Sequence, residues 1–268
     1  MTNSSRELAA EYARTAEAYE QYWSPVIRPM ALPLLPGLPL ARAARVLDVG
    51  AGSCALWGDL RAAAPSAELL GIDRSHGMLR ANPSHVGRLA VMDCQELGLR
   101  GGSIDVATMV FVLFHVPDPQ RALEELLQAL RPGGVLGITT WGTDSGTPGA
   151  AIWTEELDRA QAPPDPRDPS VMQHARMDSP AKLRDLLEHA GFSGVRTWAG
   201  KFSFQWSVER LLAMQTRCGI PYRRLRALAP DAGAACADRV LVRFGRLTEP
   251  ELRQDSEVVF GTAARPAL

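Results

Sequence analysis

Three carboxylates, Asp48, Asp73 and Asp93, each stand at the end of an apolar run, and the glycines Gly50 and Gly52 follow the first of them. In VLDVGAGSC the apolar residues mark a buried strand. The glycines let the chain turn sharply and bring backbone N–H groups close to a ligand. Desolvating Asp48 costs several kcal/mol without a partner, which points to a cationic one such as an ammonium or a sulfonium. Asp73, 21 residues after Gly52, is placed to accept both hydroxyls of a ribose. Asp93, in VMDCQEL, is placed to accept from an exocyclic amine such as adenine N6. Gly50, Gly52 and Ala55 also satisfy the dinucleotide pattern GxGxxG/A, so a nicotinamide- or flavin-dependent oxidoreductase stands as an alternative. Asp48 argues against it, because a carboxylate two residues before the first glycine would repel a pyrophosphate.

A general base has one candidate by position, His115 in FVLFHVPDP, with helix capping or packing as the competing reading. His174 lies in the segment 143–178 and could swing in to the site, with a solvated loop position as the competing reading. His76, His85 and His189 read as surface positions, and no two histidines share a carboxylate at ligand spacing, so no metal site is expected. Tyr19, Trp23, Trp141, Trp153, Met214, Arg217 and Tyr222 are candidates for an acceptor pocket, each weighed against ordinary core packing. Their aromatic and aliphatic character suits an acceptor of modest size and largely apolar surface.

Strands and helices alternate around these residues. RVLDVGA, AELLGID, RLAVMD, SIDVATMVF and VLGITTW read as strands, with helices at 55–64, 75–81 and 119–130, the last ended by Arg131-Pro132-Gly133-Gly134. That rhythm builds a parallel sheet covered on both faces. In such sheets ligands bind at the carboxyl ends of the strands, where the strand order reverses. The acids, Phe111 and Trp141 all fall near those ends. Residues 5–24 read as an amphipathic helix carrying Leu8, Tyr12, Ala16, Tyr19 and Trp23 on one face, before a proline-rich stretch from Pro25 to Pro39. The domain expectation is an N-terminal helical cap at 1–40 and a cofactor-binding core at 41–142. The core continues at 179–206, with a last strand and tail at 249–268. Two segments, 143–178 and 207–248, interrupt it and are expected to form a helical lid.

VLDVGAGSC, LLGIDRSHGML, VMDCQELGLRGGSIDVA and ALEELLQALRPGGVLGITTWG together resemble the class I S-adenosylmethionine-dependent methyltransferases, over residues 45–142 and again at AKLRDLLEHAGF. The likeness is strongest to the small-molecule enzymes acting on quinones, sterols and microbial natural products. It implies an α/β, Rossmann-like, doubly wound sheet of seven strands in the order 3-2-1-4-5-7-6, with an antiparallel last strand at 256–263. It implies that Gly50, Ala51 and Gly52 pass beside the methionine part of S-adenosylmethionine while Asp48 holds its ammonium. Asp73 would bind the ribose with Arg74 beside it, Met78 would pack on the adenine, and Asp93 would hold N6 with the Cys94 N–H near the ring. Phe111 would line the cofactor or acceptor side, and Tyr19 would fold over the cofactor. The family usually has a glycine where Cys54 stands.

The remaining composition narrows the class. The 268 residues carry 29 basic and 30 acidic side chains, net −1, so no basic excess points to nucleic acid or an anionic membrane. Four cysteines, none at CxxC spacing, fit reduced thiols in the cytoplasm. The first twenty residues lack the apolar core of a signal peptide, and no run of eighteen apolar residues predicts a membrane span. The expected function is methyl transfer from S-adenosylmethionine to a small, largely apolar secondary metabolite, quinone or lipid-like molecule. An oxidoreductase and a methyltransferase-fold protein of different chemistry are the alternatives.

Overall fold

A computed structural model describes residues 2–81 and 88–267; the expectation for His85 lies outside the described residues. Seven strands form one sheet: β1 (Arg45–Val49), β2 (Glu68–Asp73), β3 (Arg88–Val91), β4 (Ile104–Val110), β5 (Leu130–Ser145), β6 (Ser193–Gln205) and β7 (Arg253–Ala264). Their order is β3-β2-β1-β4-β5-β7-β6. β7 runs antiparallel to both neighbours, while β1 to β5 pair in parallel. Val46, Leu47, Val49, Val106, Ala107 and Met109 are buried because helices cover both faces of the central strands, which is why these strands read as nearly unbroken apolar runs. β1 pairs with both β2 and β4, so the strand order reverses there and a crevice opens beyond its carboxyl end.

The covering helices begin with α1 (Asn3–Ala18), whose N-cap Thr2 accepts from the Ser5 N–H. A π-helical turn, Tyr19–Trp23, joins it to α2 (Ser24–Ala31). Sequence placed a break at Pro25; the structure keeps the chain helical to Ala31 and then in a 3₁₀ segment, Leu32–Gly37. Pro25 sits in the first turn of α2, where a missing N–H costs little. The wide turn before it re-aims Tyr19 and Trp23 toward the strand ends, a use typical of such bulges.

α3 (Trp57–Ala63), α4 (His76–Arg80), α5 (Pro119–Ala129) and α7 (Pro180–His189) flank the sheet. Ser75, Asp118 and Ser179 cap the last three through side-chain oxygens. The Arg131–Gly134 stretch, expected as a helix end only, already belongs to β5, which starts at Leu130 and shifts register before Val135.

The interrupting segments hold α6 (Ala150–Arg159), α8 (Val208–Arg217), α9 (Gly219–Leu225) and α10 (Pro230–Phe244). They interlock. The Trp153 indole N–H donates to Gln215 Oε1 at 2.7 Å, and Gln215 Nε2 donates to the Pro148 carbonyl. Arg239 and Arg243 both donate to Glu156. α1 joins this layer through Ser4–Ser170 and Arg226–Glu11, and rests on α4 where a Cβ on Gly77 would lie 2.6 Å from Ala13. Among the described residues no helix is long and apolar enough to cross a membrane.

Candidate active site

The turn after β1 is built on the end of β2. The Ala51 N–H donates to the Ile72 carbonyl at 2.9 Å and the Gly52 N–H to Asp73 Oδ2 at 3.0 Å. Gly50 has φ +67°, and a Cβ there would lie 2.3 Å from Val112. Cys54 also takes a left-handed φ of +62°, which gives a physical reason for a glycine at that position. Its thiol is buried, and burial pushes its pKa far up, so it is not a nucleophile.

A cavity open to solvent lies over this turn. Asp48, Gly50, Ala51 and Gly52 form its floor. Asp73, Arg74, Met78 and Cys94 form one side, and Tyr19 and Phe111 reach it from the other. Asp48 is only 5% exposed. It accepts from the Trp57 indole N–H at 3.0 Å and the Thr108 hydroxyl at 2.9 Å, both neutral donors. Burial pushes its carboxyl up to about 6 against those two bonds. Asp73 accepts from the Gly52 and Ser75 N–H groups, and burial raises its pKa. The Arg74 guanidinium is turned to the His115 carbonyl at 2.7 Å.

Asp93 departs from expectation. It lies past the end of β3 and does not line the cavity; its carboxylate accepts from the backbone and side chain of Gln95. Its neighbours Met92 and Cys94 face the cavity instead.

A second cavity, also open to solvent, lies between the strand ends and the helical layer. Trp23, Trp141, Trp153 and Met214 line it. Phe111 stacks on Trp141 at 4.3 Å, and Trp23 lies 6.1 Å from Trp141. Arg217 and Tyr222 do not line it. Arg217 is exposed on the outer face of α8, with its guanidinium over the Tyr22 ring, and the Tyr222 ring packs under Arg226. Residue type alone marks both as candidates, and it does not say which face of α8 or α9 turns inward. Sequence reasoning missed Glu11, Arg167, Arg223 and Arg224, which line this cavity. They come from three separate segments, and no spacing in the chain links them.

The two cavities share four residues, Tyr12, Tyr19, Phe111 and His115. His115 Nδ1 lies 3.1 Å from the Val171 carbonyl, and its Nε2 lies 2.9 Å from the Tyr12 hydroxyl. A carbonyl only accepts, so Nδ1 carries the proton; the neutral ring then presents Nε2 as acceptor, and Tyr12 donates to it. Burial lowers the His115 pKa to about 3, with Arg167, Arg74 and Arg223 adding to the effect against the Val171 bond. Burial raises the pKa of Tyr12 and Tyr19. Phe111 holds a φ of +55°, a strained conformation for a bulky side chain. Tyr12 was legible only as one position on the apolar face of the first helix. His174 lines neither cavity and stands edge-on to Phe114. No cluster of metal-ligating side chains occurs among the described residues.

Residues 16–197 match a family model described as a methyltransferase domain. An uncharacterized methyltransferase of Mycobacterium bovis is 35% identical over 59% of this chain and 61% of its own length. A ubiquinone/menaquinone biosynthesis C-methyltransferase of Syntrophotalea carbinolica is 36% identical over 37% of this chain and 44% of its own. The chain thus spans about half the length of these relatives. Among solved structures, the [4+2]-cyclase SpnF superposes with a TM-score of 0.60 at 18% identity, over 98% of this chain and 97% of that one, a likeness of fold. With the family model matching more than half of its residues and the strand order expected for the class, the chain belongs to the class I S-adenosylmethionine-dependent methyltransferases.

Proposed function

We propose that the protein transfers a methyl group from S-adenosylmethionine to a small molecule held in the second cavity. The observation that carries this is the junction: a cavity over the glycine turn meets an aromatic cavity, and Tyr12, Tyr19, Phe111 and His115 belong to both walls. Asp48 supports the fit. It is a buried carboxylate whose partners are neutral donors, so a cation is still needed to offset its charge. Gly50 supports it as well, since any side chain there would strike Val112 beside the crevice.

When bound, S-adenosylmethionine supplies an electrophilic methyl on a sulfonium. The chain's own residues then have three tasks. Asp48 holds the ammonium, and Asp73 accepts from the ribose hydroxyls while fixing the glycine turn. Met78 and Cys94 pack about the base. Phe111, Trp141 and Trp23 hold the acceptor's apolar body against the junction, where alignment alone contributes several kcal/mol. Tyr12, whose O–H is hydrogen-bonded to His115 Nε2, offers its oxygen lone pairs to an acceptor hydroxyl or amine, and the proton the acceptor sheds on methylation leaves to solvent with product. His115 is a positioning residue in this reading and not the base, because its imidazolium is disfavoured by burial.

We further propose that the N-terminal cap at 1–40 and the segments 143–178 and 207–248 act together as the lid that excludes water from the transfer. The quinone enzyme named among the relatives favours a quinone- or lipid-like apolar body for the acceptor. The four free cysteines fit a reducing, cytoplasmic setting. Calorimetric titration with S-adenosylhomocysteine tests cofactor binding, and release of S-adenosylhomocysteine over a panel of hydroxylated aromatic acceptors tests transfer. Binding of NADH in place of S-adenosylhomocysteine would restore the oxidoreductase reading. Cofactor binding without release from any acceptor would favour different chemistry on the same fold.

A further inference from the structure

The second cavity has a wall that an apolar acceptor does not use. Arg167 and Arg223 both line it, and both are bound to one carboxylate, Asp165. Arg223 donates from Nε and Nη2 at 3.0 Å each; Arg167 donates from Nε at 3.0 Å and Nη2 at 2.8 Å. The three side chains are 11%, 17% and 16% exposed for Arg223, Arg167 and Asp165. One carboxylate cancels one guanidinium, so the clamp keeps one positive charge in a mostly desolvated place. Among the described residues neither arginine's Nη1 has an acceptor, and each planar fork keeps donors free. Leaving such a charge uncompensated is costly, and a bound anion would offset it.

Glu11 stands on the same wall, nine-tenths buried, with Arg14 and Arg226 on one of its oxygens, so its charge is offset within the fold and leaves the clamp's charge uncancelled. The chain as a whole is net −1, so this excess of positive charge is local. It is also separate from the cofactor cavity, whose lining includes neither Arg167 nor Arg223.

We infer that the acceptor is a small organic acid, an apolar body carrying one carboxylate, and that the Arg167–Arg223 clamp held by Asp165 binds that carboxylate. This rests on the methyl-transfer reading for the word acceptor, but the anion site stands on its own geometry. A single residual charge matches a monoanion, and the flat guanidinium fork matches a carboxylate better than a lysine would. The aromatic wall at Trp23 and Trp141 takes the body and directs its reactive end to Tyr12.

Equilibrium dialysis of 6-hydroxy-2-naphthoate against 2-naphthol tests it, with S-adenosylhomocysteine affinity measured on the same samples. The naphthoate is expected to bind at least about tenfold tighter, and Arg223→Gln and Arg167→Gln each to cut that preference at least about fivefold. Arg223→Lys, which keeps the charge and loses the fork, should retain part of it. Equal or tighter binding of the naphthol overturns the inference. So does a preference that survives both glutamine variants in protein that still binds S-adenosylhomocysteine, or no binding of either probe at millimolar concentration. Naphthoate preference without any S-adenosylhomocysteine binding would overturn the methyl-transfer reading and leave the acid site standing.

Discussion

The Tyr12 hydroxyl donates to His115 Nε2 across 2.9 Å at the junction of the two cavities. The direction is fixed by the far side of the ring, where Nδ1 faces the Val171 carbonyl at 3.1 Å. The pair joins α1 to the turn after β4, so the same contact that orients the hydroxyl also anchors the N-terminal helix over the crevice.

Tyr12→Phe removes the hydroxyl and keeps the ring contact with Tyr19, whose centroid lies 5.8 Å away. S-adenosylhomocysteine affinity should stay within about twofold. Turnover of a hydroxylated acceptor should fall about 10- to 100-fold, the cost of one lost, well-placed hydrogen bond. The His115 pKa lies near 3, so it stays neutral across pH 5–8. At saturating cofactor, kcat should therefore show no inflection near 6.5. Such an inflection, abolished in His115→Gln, would return the role of base to His115.

Asp48 carries a cost that the bound cofactor relieves. Its folded pKa of about 6 exceeds the ordinary value of 3.8, so the folded state holds the extra proton between those limits. Stability from this group is full below pH 3.8 and is lost as pH rises through 6, a loss of about 3 kcal/mol by pH 7. Asp48→Asn can keep both contacts, accepting from Trp57 and donating to a Thr108 hydroxyl that rotates. The variant should melt several degrees higher than the parent at pH 7.5 and show no advantage at pH 4. Its affinity for S-adenosylhomocysteine should drop at least tenfold. In the parent, affinity should rise with pH from 5 to 7 and then level off, because the charged carboxylate is the binding form. A Tm gain that persists at pH 4 would mean the effect is packing and not charge.

Asp73 and Asp93 should part company. Asp73→Ala removes the acceptor that holds the Gly52 N–H in the glycine turn and the one that holds the Ser75 N–H ahead of α4, so S-adenosylhomocysteine affinity should fall at least tenfold. Asp93→Ala should leave it within about twofold, because the carboxylate is spent on Gln95 outside the cavity. Calorimetry on the two variants side by side checks both; equal losses would put Asp93 back at the adenine.

These differences show what the chain discloses by itself. The sheet was legible because each buried strand is a short apolar run and each glycine or acid sits at its end, where a parallel sheet must gather them. The places of Asp48 and Asp73 follow from the strand ends, whereas Met78, in α4, and Phe111 are expected from the family resemblance. The acceptor wall follows from neither, because Glu11, Arg167 and Arg223 come from three segments whose mutual placement depends on long-range packing among α1, α6 and α9. The proline-rich stretch misled for a local reason. Proline at the first turn of a helix is harmless, and a π-helical turn ahead of it has no clear sequence signature. Arg217 and Tyr222 misled because helices with mixed faces do not announce which side turns inward.

Gly50→Ala gives the sharpest test of the crevice itself. At φ +67° an alanine costs about 1–2 kcal/mol in backbone strain, and its Cβ would lie 2.3 Å from Val112 Cγ2. Affinity for S-adenosylhomocysteine should fall more than about 100-fold, and the melting temperature should drop. Adding Val112→Ala leaves the nearest atom as the Cβ at 3.1 Å, so the clash is largely relieved while the strain remains. The double variant should recover much of the stability and part of the affinity, with the residue reporting the strained turn. Gly58→Ala is the control: it is exposed in α3, with nothing within 4 Å of the added Cβ. It should leave affinity unchanged and stabilise by up to about 1 kcal/mol. If Gly50→Ala behaves like Gly58→Ala, the turn after β1 does not bear on the ligand.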